Sequence, residues 1–367
     1  MNFNRHDFAP LSANTPVAAR LHNRRIIVQA LRRFGSLSRA ELARLTGLSP
    51  QAIANIVSAL IDDGLLREAG RKKSQRGQPP IAIELAEDGG YALGIRIDAT
   101  TYNVAAVSLA GDVLSQSQGG VPSEDSGVLS LVADLHADMT RQFAKKHCFG
   151  MGIVTPGPFD TTWPGVPSPG SVAVLQRHSL ASELSDQLGT DVFHGNDAYA
   201  AAIGERLYGA AMDLHHFFYL YIGEGVGGGI VIGGESYRGA GGNSGEAGHL
   251  IVDPNGKPCY CGNRGCLGQY LSLEVRRKVG VEEWLGDAVP ALRTAISSIE
   301  NLFDPEAIVL GGTAPTSLLS NLIKKLNTPS PSVRQDHGNR IRLSNLGGTS
   351  PALGASALPL LVAAKAT

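Results

Sequence analysis

The 367-residue chain is 43% hydrophobic and 18% charged, too long for one ordinary core, so two or three domains are expected. No apolar run approaches the roughly 18 residues of a bilayer span, and the start shows no charged-then-apolar leader, so a cytoplasmic protein without structural disulfides is expected. The net charge of −1 conceals an asymmetry: residues 1–80 hold 13 Lys and Arg against 5 Asp and Glu (+8), and the rest hold 19 against 28 (−9). Only the basic head is suited to meet a polyanion.

From Ala19 to Arg33, Leu21, Ile26, Ile27, Ala30 and Leu31 recur at helical spacing. This helix stops at Phe34-Gly35. Ser38-Arg39-Ala40-Glu41 reads as a capping box opening a second helix. Gly47 turns the chain, and Ser49-Pro50 caps and starts a third helix. On that helix Ile53, Ile56, Val57, Leu60 and Ile61 share an inner face, while Gln51, Ala54, Asn55 and Ser58 share an outer one. A short polar outer face on a helix packed from behind suits a major groove. Leu65–Glu68 and Ile81–Glu84 read as strands around a basic loop, Gly70 to Pro80, which describes a wing. Its Arg76-Gly77-Gln78-Pro79 stretch is suited to a minor groove. Three small helices alone also fit a protein-docking module, and a basic loop alone fits a solvated surface; the ordered set points to DNA. The expected contacts are Arg39, Ser49, Gln51, Asn55, Ser58, Arg71, Lys72, Lys73, Arg76 and Gly77.

Beyond Tyr91 the pattern changes. Tyr91–Ile97, Val104–Leu109 and Asp112–Leu114 read as strands, about 127–146 as a helix, and Met151–Pro158 as a strand ending in a tight loop. Alternating strands and helices argue for an α/β body. Phe217–Ile232 reads as two strands around a Gly-rich turn, which fits either a phosphate loop or a plain hairpin. The domains expected are 1–85, a winged helix-turn-helix, and 86–367, an α/β effector domain of two lobes. His249, Cys259, Cys261 and Cys266 make a four-ligand zinc set, with only Cys148 of the four cysteines outside it. Four protein ligands leave no open position, so structural Zn(2+) is expected, with buried free thiols the plainer alternative.

Thr155-Pro156-Gly157-Pro158, Gly195-Asn196-Asp197-Ala198, Gly225-Val226-Gly227-Gly228-Gly229, Gly245-Glu246-Ala247-Gly248-His249, the Cys cluster and Ile308-Val309-Leu310-Gly311-Gly312 together resemble the ROK family (repressor, open reading frame, kinase) from about Ala19 to the C-terminus. The resemblance implies an actin-like ATPase fold of two lobes around a cleft, with sugar kinases and winged-helix regulators as its activities. It implies that Asn196, Asp197, Glu246 and His249 bind sugar hydroxyls, and that Asp197 matches the kinase base. His249 would bind zinc through one nitrogen and face the ligand with the other.

The chain departs from the kinase pattern. Arg96-Ile97-Asp98-Ala99-Thr100 stands where kinases have Asp followed by two Gly and Thr. Glu224 replaces a small hydroxyl residue and is expected to repel the phosphates of ATP. Gly268 replaces a Glu after Cys-Leu, and Pro167–Ser171 lacks a usual Asn. The expectation is therefore no kinase activity and no catalytic residue. The chain reads as a regulator, on the family pattern a repressor of sugar-related genes, binding double-stranded operator DNA as a homodimer or homotetramer with no membrane partner. A sugar or sugar derivative in the cleft is the expected effector. A sugar kinase with a DNA-binding appendage is the alternative, and a zinc-stabilised scaffold without an effector a third reading.

Overall fold

The computed structural model describes residues 16–71, 80–86, 89–157, 175, 177, 179–326, 332 and 340–363. Contacts divide the chain into two units, Met1–Gly90 with Leu360–Thr367, and Tyr91–Pro359.

In the first unit, helix α1 (Pro16–Phe34) is followed by β1 (Leu37–Ser38), α2 (Arg39–Thr46), α3 (Pro50–Asp62), β2 (Leu66–Arg71) and β3 (Ile81–Leu85). The Ser38 hydroxyl accepts from the Glu41 N–H at 3.3 Å, and the Glu41 carboxylate accepts from the Ser38 N–H at 2.7 Å. Two of the four orphan N–H groups at this helix start are thus satisfied. Gly47 has φ of 72° and donates its N–H to Ala43 C=O, ending α2 in a left-handed turn that other residues rarely adopt. Ser49 then caps α3 by accepting from Ala52 N–H. Ile53, Val57 and Leu60 on α3 are buried, as are Ile27 and Leu31 on α1, while Ile56 and Ile61 are only partly covered. The guanidinium of Arg24, buried on α1, pairs with Asp63 at the end of α3.

Strands β2 and β3 pair antiparallel, with an irregularity between Glu68 and Arg71. The sheet has a third strand that the sequence did not announce: Leu37 and Ser38 pair antiparallel with Ile83 and Ala82, giving the order β1-β3-β2. The wing tip, with Lys72, Lys73, Arg76 and Gly77, lies outside the described residues.

The second unit repeats one topology. Strands β4 (Tyr91–Ile97), β5 (Thr101–Ser108) and β6 (Val113–Gly120) form an antiparallel meander. Helix α4 (Asp125–Gln142) leads to β7 (Cys148–Thr155), and α5 (Leu180–Leu188) to β8 (Val192–Asn196), giving the order β6-β5-β4-β7-β8. After α6 (Asp197–Tyr208) come β9 (Phe217–Ile222), β10 (Val226–Ile232), β11 (Glu235–Tyr237), α7 (Gly268–Leu271), α8 (Leu273–Lys278), α9 (Val281–Phe303), β12 (Ala307–Gly311), α10 (Thr316–Leu326) and β13 (Ile341–Leu343), with the order β11-β10-β9-β12-β13. The two orders are the same when counted from the first strand of each meander. The C-terminal helix α11 spans Ser350–Ala363.

Each sheet is covered on both faces, as parallel strands require. Leu93, Ile95 and Ile97 of β4 face α4 and α5. Phe218, Leu220 and Ile222 of β9 face α7, α9 and α10. Between the sheets lie α6, packed on Phe217, Tyr219 and Tyr221, and α11, packed on the first sheet. The approach of α11 is close: a Cβ on Gly94 would lie 1.9 Å from Ala352 C=O, and one on Gly152 would lie 2.1 Å from Ala355 C=O. Only glycine admits helix backbone to strand backbone at that range. No helix among the described residues is long and apolar enough to cross a membrane.

Replacing Gly152 with Val forces α11 off the sheet, and the urea midpoint is expected to fall by the equivalent of about 3 kcal/mol, the upper part of the overpacking range. Gly286→Ala, on α9 with open space around it, is expected to leave the midpoint unchanged or raise it by up to about 1 kcal/mol.

Candidate functional site

On α3, Gln51, Asn55 and Ser58 are exposed on one side while Ile53, Val57 and Leu60 are buried on the other. Gln51 Nε2 donates to Asn55 Oδ1 at 3.1 Å. The two amides are thus held side by side one helical turn apart, and each keeps atoms for a base edge. Ser49 is exposed at the N-cap, where its oxygen is engaged by the Ala52 N–H. Arg39 is half-buried and pairs with Glu68 at 3.2 Å, so a phosphate would have to compete with that carboxylate. Arg71 ends β2.

The second site is an open cleft between the two sheets of the body. Its walls come from the end of β4, the loop after β7, the β8–α6 junction, and the β9–β10 turn. That is where α/β sheets bind ligands. Asn196 caps α6: its Oδ1 accepts from Ala198 N–H at 2.8 Å and Tyr199 N–H at 3.1 Å. Its Nδ2 stays available beside Gly157, a cleft residue whose lack of a Cβ leaves room near both Asn196 Nδ2 and Glu246 Oε1. The carboxyl of Asp197 accepts from its own helix, at Ala198 N–H, at 2.8 Å.

Burial pushes the Asp197 carboxyl above its ordinary range, although Arg96 and the Ala198 N–H oppose it. Burial and the charge of Asp197 push Glu246 up to about 7. Asp98 behaves differently. Burial would raise it, but Arg96 and the N–H groups of Thr100 and Thr101 hold it below the usual carboxylate range. Arg96 donates to Asp98 at 2.5 Å and to Thr101 at 3.3 Å, and is only 1% exposed. The cleft floor is therefore an internal ion pair. A second pair stands at the β9–β10 turn, where Glu224 is held by both terminal nitrogens of Arg277. The bare repulsive carboxylate expected at Glu224 is instead paired with a guanidinium supplied from α8.

His249 sits in a three-residue helical turn, Ala247–His249. Its Nδ1 lies 3.7 Å from Cys259 Sγ, and Cys261 Sγ lies 3.6 Å from Cys266 Sγ. The ligand atoms of these four residues all lie within 4.8 Å of one another, close enough to hold one metal ion. Asn263 and Gln269 amides donate to Cys261 and Cys259. His249 Nε2 lies 3.1 Å from the hydroxyl of Tyr260, which lines the cleft. The sequence reading missed Tyr260, Tyr221 and Asp98; the first could have been suspected from its place between two ligand cysteines. Gly268 starts α7 and is not among the cleft-lining residues. Pro167–Ser171 lies outside the described residues.

The ROK family model matches residues 92–278, about half of the chain. The chain belongs to the ROK family. A winged helix-turn-helix DNA-binding model matches residues 20–67. The xylose repressor of Bacillus subtilis (strain 168) is 28% identical over 366 residues, spanning 92% of this chain and 94% of that protein. The DNA-binding transcriptional dual regulator NagC of Escherichia coli (strain K12) is 25% identical over 255 residues, spanning 67% and 61%. A ROK family transcriptional regulator described as a homolog of E. coli MLC aligns with a TM-score of 0.75 at 24% identity, over 95% of this chain and 97% of that one. A ROK family glucokinase from Streptomyces griseus, solved with glucose and AMPPNP, aligns with a TM-score of 0.60 at 25% identity, over 73% and 99%. This chain is a DNA-binding transcriptional regulator of the ROK family.

Cys261→Ser should lower bound metal from one ion per chain to a small fraction and depress the thermal midpoint of the protein. Metal analysis alongside calorimetry checks both, and a metal-free wild-type protein would remove the site. Gln51→Ala and Asn55→Ala should each lower the preference for operator over random DNA roughly 5- to 150-fold, from about 1–3 kcal/mol per lost base contact; competition binding at fixed salt measures the ratio.

Proposed function

We propose that this protein represses sugar-related genes by binding a palindromic operator as a homodimer or homotetramer, and that a sugar or sugar derivative in the cleft is its effector. Residues 1–85 act as the DNA reader and 86–367 as the effector domain. Gln51, Asn55 and Ser58 meet base edges. Arg39, Ser49, Arg71, Lys72 and Lys73 meet phosphates, and Arg76-Gly77 enters a minor groove. In the cleft, Asn196, Asp197, Glu246 and His249 take sugar hydroxyls. The protein works in the cytoplasm, where its DNA is.

The observation that carries the sensor reading is Arg96. Phosphoryl transfer needs a loop that manages metal-bound phosphate. Here that place is filled by a buried guanidinium already paired with Asp98. Glu224 and Arg277 put a second ion pair across the other phosphate loop. Asp197 remains, but as a hydroxyl acceptor rather than a base with a phosphoryl acceptor to activate. The protein is therefore a sensor and not an enzyme.

The metal is zinc in a structural role. Zinc takes thiolate sulfur at ~2.3 Å and imidazole nitrogen at ~2.0–2.1 Å in a tetrahedron, which sets neighbouring sulfurs near 3.8 Å. The Cys261–Cys266 and Cys259–His249 separations of 3.6 and 3.7 Å fit that donor set. When bound, the ion supplies structural cross-linking. The chain's own residues bind the effector and exclude water from it.

The test is DNA binding by the full chain to its own upstream region, with and without D-xylose, D-glucose and N-acetyl-D-glucosamine. A sugar that acts as effector shifts the operator Kd at least ten-fold, and Asp197→Asn abolishes that shift. With ATP added, no sugar is phosphorylated; turnover that Asp197→Asn removes would make the protein a kinase. Neutralising Lys72 and Lys73 lowers the slope of log K against log salt by about 2.

A further inference from the structure

We propose that Tyr221 is a positioning residue of the effector site: from the second sheet, its hydroxyl steers the carboxyl of Asp197, at the head of α6, toward the effector. This rests on the reading that the cleft binds a small-molecule effector. Phe217, Tyr219 and Tyr221 alternate along β9 and share the face packed on α6. Two of them carry hydroxyls, and the two hydroxyls are treated differently. That of Tyr219 is buried and pairs with Ser350 Oγ at 3.1 Å. That of Tyr221 is buried with no hydrogen-bond partner among the described residues, on a side chain that lines the cleft. Around it stand the Asp197 carboxyl, the guanidinium of Arg96, the Thr313 hydroxyl and Asp98, near enough to act on it without completing a bond. Gly223 leaves the ring its place: a Cβ there would lie 2.8 Å from the Tyr221 ring and 2.6 Å from Thr313 Oγ1.

A buried hydroxyl without a bond is destabilising, and phenylalanine would fill the same space without that cost. The hydroxyl is explained by what it faces, and it faces Asp197. Burial, with the charge of Asp197 beside it, pushes the Tyr221 phenol up, so it keeps its proton and meets a carboxylate as a donor. Asp197 Oδ1 already accepts from Ala198 N–H at 2.8 Å, which leaves the other oxygen to be steered. Arg96 is not free to steer it, being bonded to Asp98 and Thr101. Burial and the nearby Asp98 push the Asp197 carboxyl up, while Arg96, the Ala198 N–H and Tyr221 oppose that rise. An ionised carboxylate turned to the cleft accepts a ligand hydroxyl; a protonated one presents a donor there instead. Tyr221 thus favours an effector that gives a hydroxyl proton to Asp197. The ligand class is a polyol with a free hydroxyl at that point, since an ether or ester oxygen has no proton to give. A donor fixed in a strand beforehand loses little freedom when such a ligand settles.

The experiment uses the full-length chain. Isothermal titration with D-xylose, D-glucose and N-acetyl-D-glucosamine first identifies a binding sugar on the wild type. For that sugar, Tyr221→Phe is expected to raise Kd about three-fold near pH 8 and at least about ten-fold near pH 5.5. The sign follows from the donation: Tyr221 favours the ionised form of Asp197, so its removal raises the pH at which Asp197 takes a proton. Affinity that needs the carboxylate is then lost sooner as the pH falls. Arg96 and Asp98 at the end of β4 and Glu246 after β11 also act with Asp197. They are the same in both proteins, so the difference between the two pH profiles reports Tyr221. The thermal midpoint of the variant is expected to stay at or above that of the wild type, because an unsatisfied buried group has been removed. Kd equal to wild type at both pH values, or a lowered midpoint with one and the same loss at both, overturns the role of Tyr221 while the effector reading stands. If none of the three sugars binds the wild type, the effector reading falls and takes this one with it.

Discussion

The thiol and imidazole cluster is the constraint on which the cleft depends. From Glu246 to Leu267 the chain has one three-residue helical turn and two isolated bridges, Ile251 with Cys266 and Pro258 with Arg264. Such a stretch is held by turn and loop hydrogen bonds, such as Cys259 N–H to Asn263 C=O and Leu267 N–H to Leu250 C=O, rather than by a long ladder, and loop entropy works against any single conformation. Drawing His249, Cys259, Cys261 and Cys266 to one point closes that loop on itself. Two groups are fixed as a consequence. Glu246 is held three residues before His249, and Tyr260 stands between two of the cysteines. Both line the cleft, so the cluster shapes its wall.

The opposite wall follows from strand alternation. On β4, Leu93, Ile95 and Ile97 point to one face, where the helices α4 and α5 cover them. Gly94 lies on the other face, and the period of two puts Arg96 on that same side. At Gly94 the helix α11 comes within backbone contact; two residues further along, Arg96 reaches into the cleft. A buried guanidinium without a partner would be strongly destabilising. Asp98 supplies the partner from the strand's end, with its own second oxygen satisfied by Thr100 and Thr101 N–H groups. The ion pair is thus a self-contained plug, and removing either member alone would strand the other.

The sequence disclosed what is local and concealed what is not. The capping box at Ser38, the turn at Gly47 and the Ser49-Pro50 start are made by residues within four positions of one another, and each stands in the structure as its residues suggest. Strand β1 was not legible, because two residues become a strand only when β3, more than forty positions later, pairs with them. The cysteine spacing disclosed the cluster, since its ligands are close in sequence. The direction of the His249 ring is not written in any spacing, so the place of Tyr260 could not be read. Arg96 and Glu224 were visible as departures from the kinase pattern. The partner of Arg96 lies two residues away, but that of Glu224 lies 53 away, and the pairing changes the physical meaning of the substitution from repulsion to closure.

That closure bears on what a sensor requires. An effector shifts a regulator only through its difference in affinity between two states, so it has to leave the cleft as it entered. A kinase centre that also sensed its sugar would convert the signal each time it bound it. On the proposed reading the chain keeps Asn196, Asp197, Glu246 and His249 for hydroxyls, while the ion pairs Arg96–Asp98 and Glu224–Arg277 stand where a kinase would manage phosphate. The Glu224–Arg277 pair stands apart from these groups, while Arg96 and Asp98 act on Asp197 through their charges. The DNA head has an analogous economy. Gln51 and Asn55 satisfy each other in the free protein, so meeting the wrong base leaves few groups newly stranded, while the right base must offer more than their mutual bond. On that reading DNA binding at this helix exchanges an existing partner for a better one, which costs raw affinity.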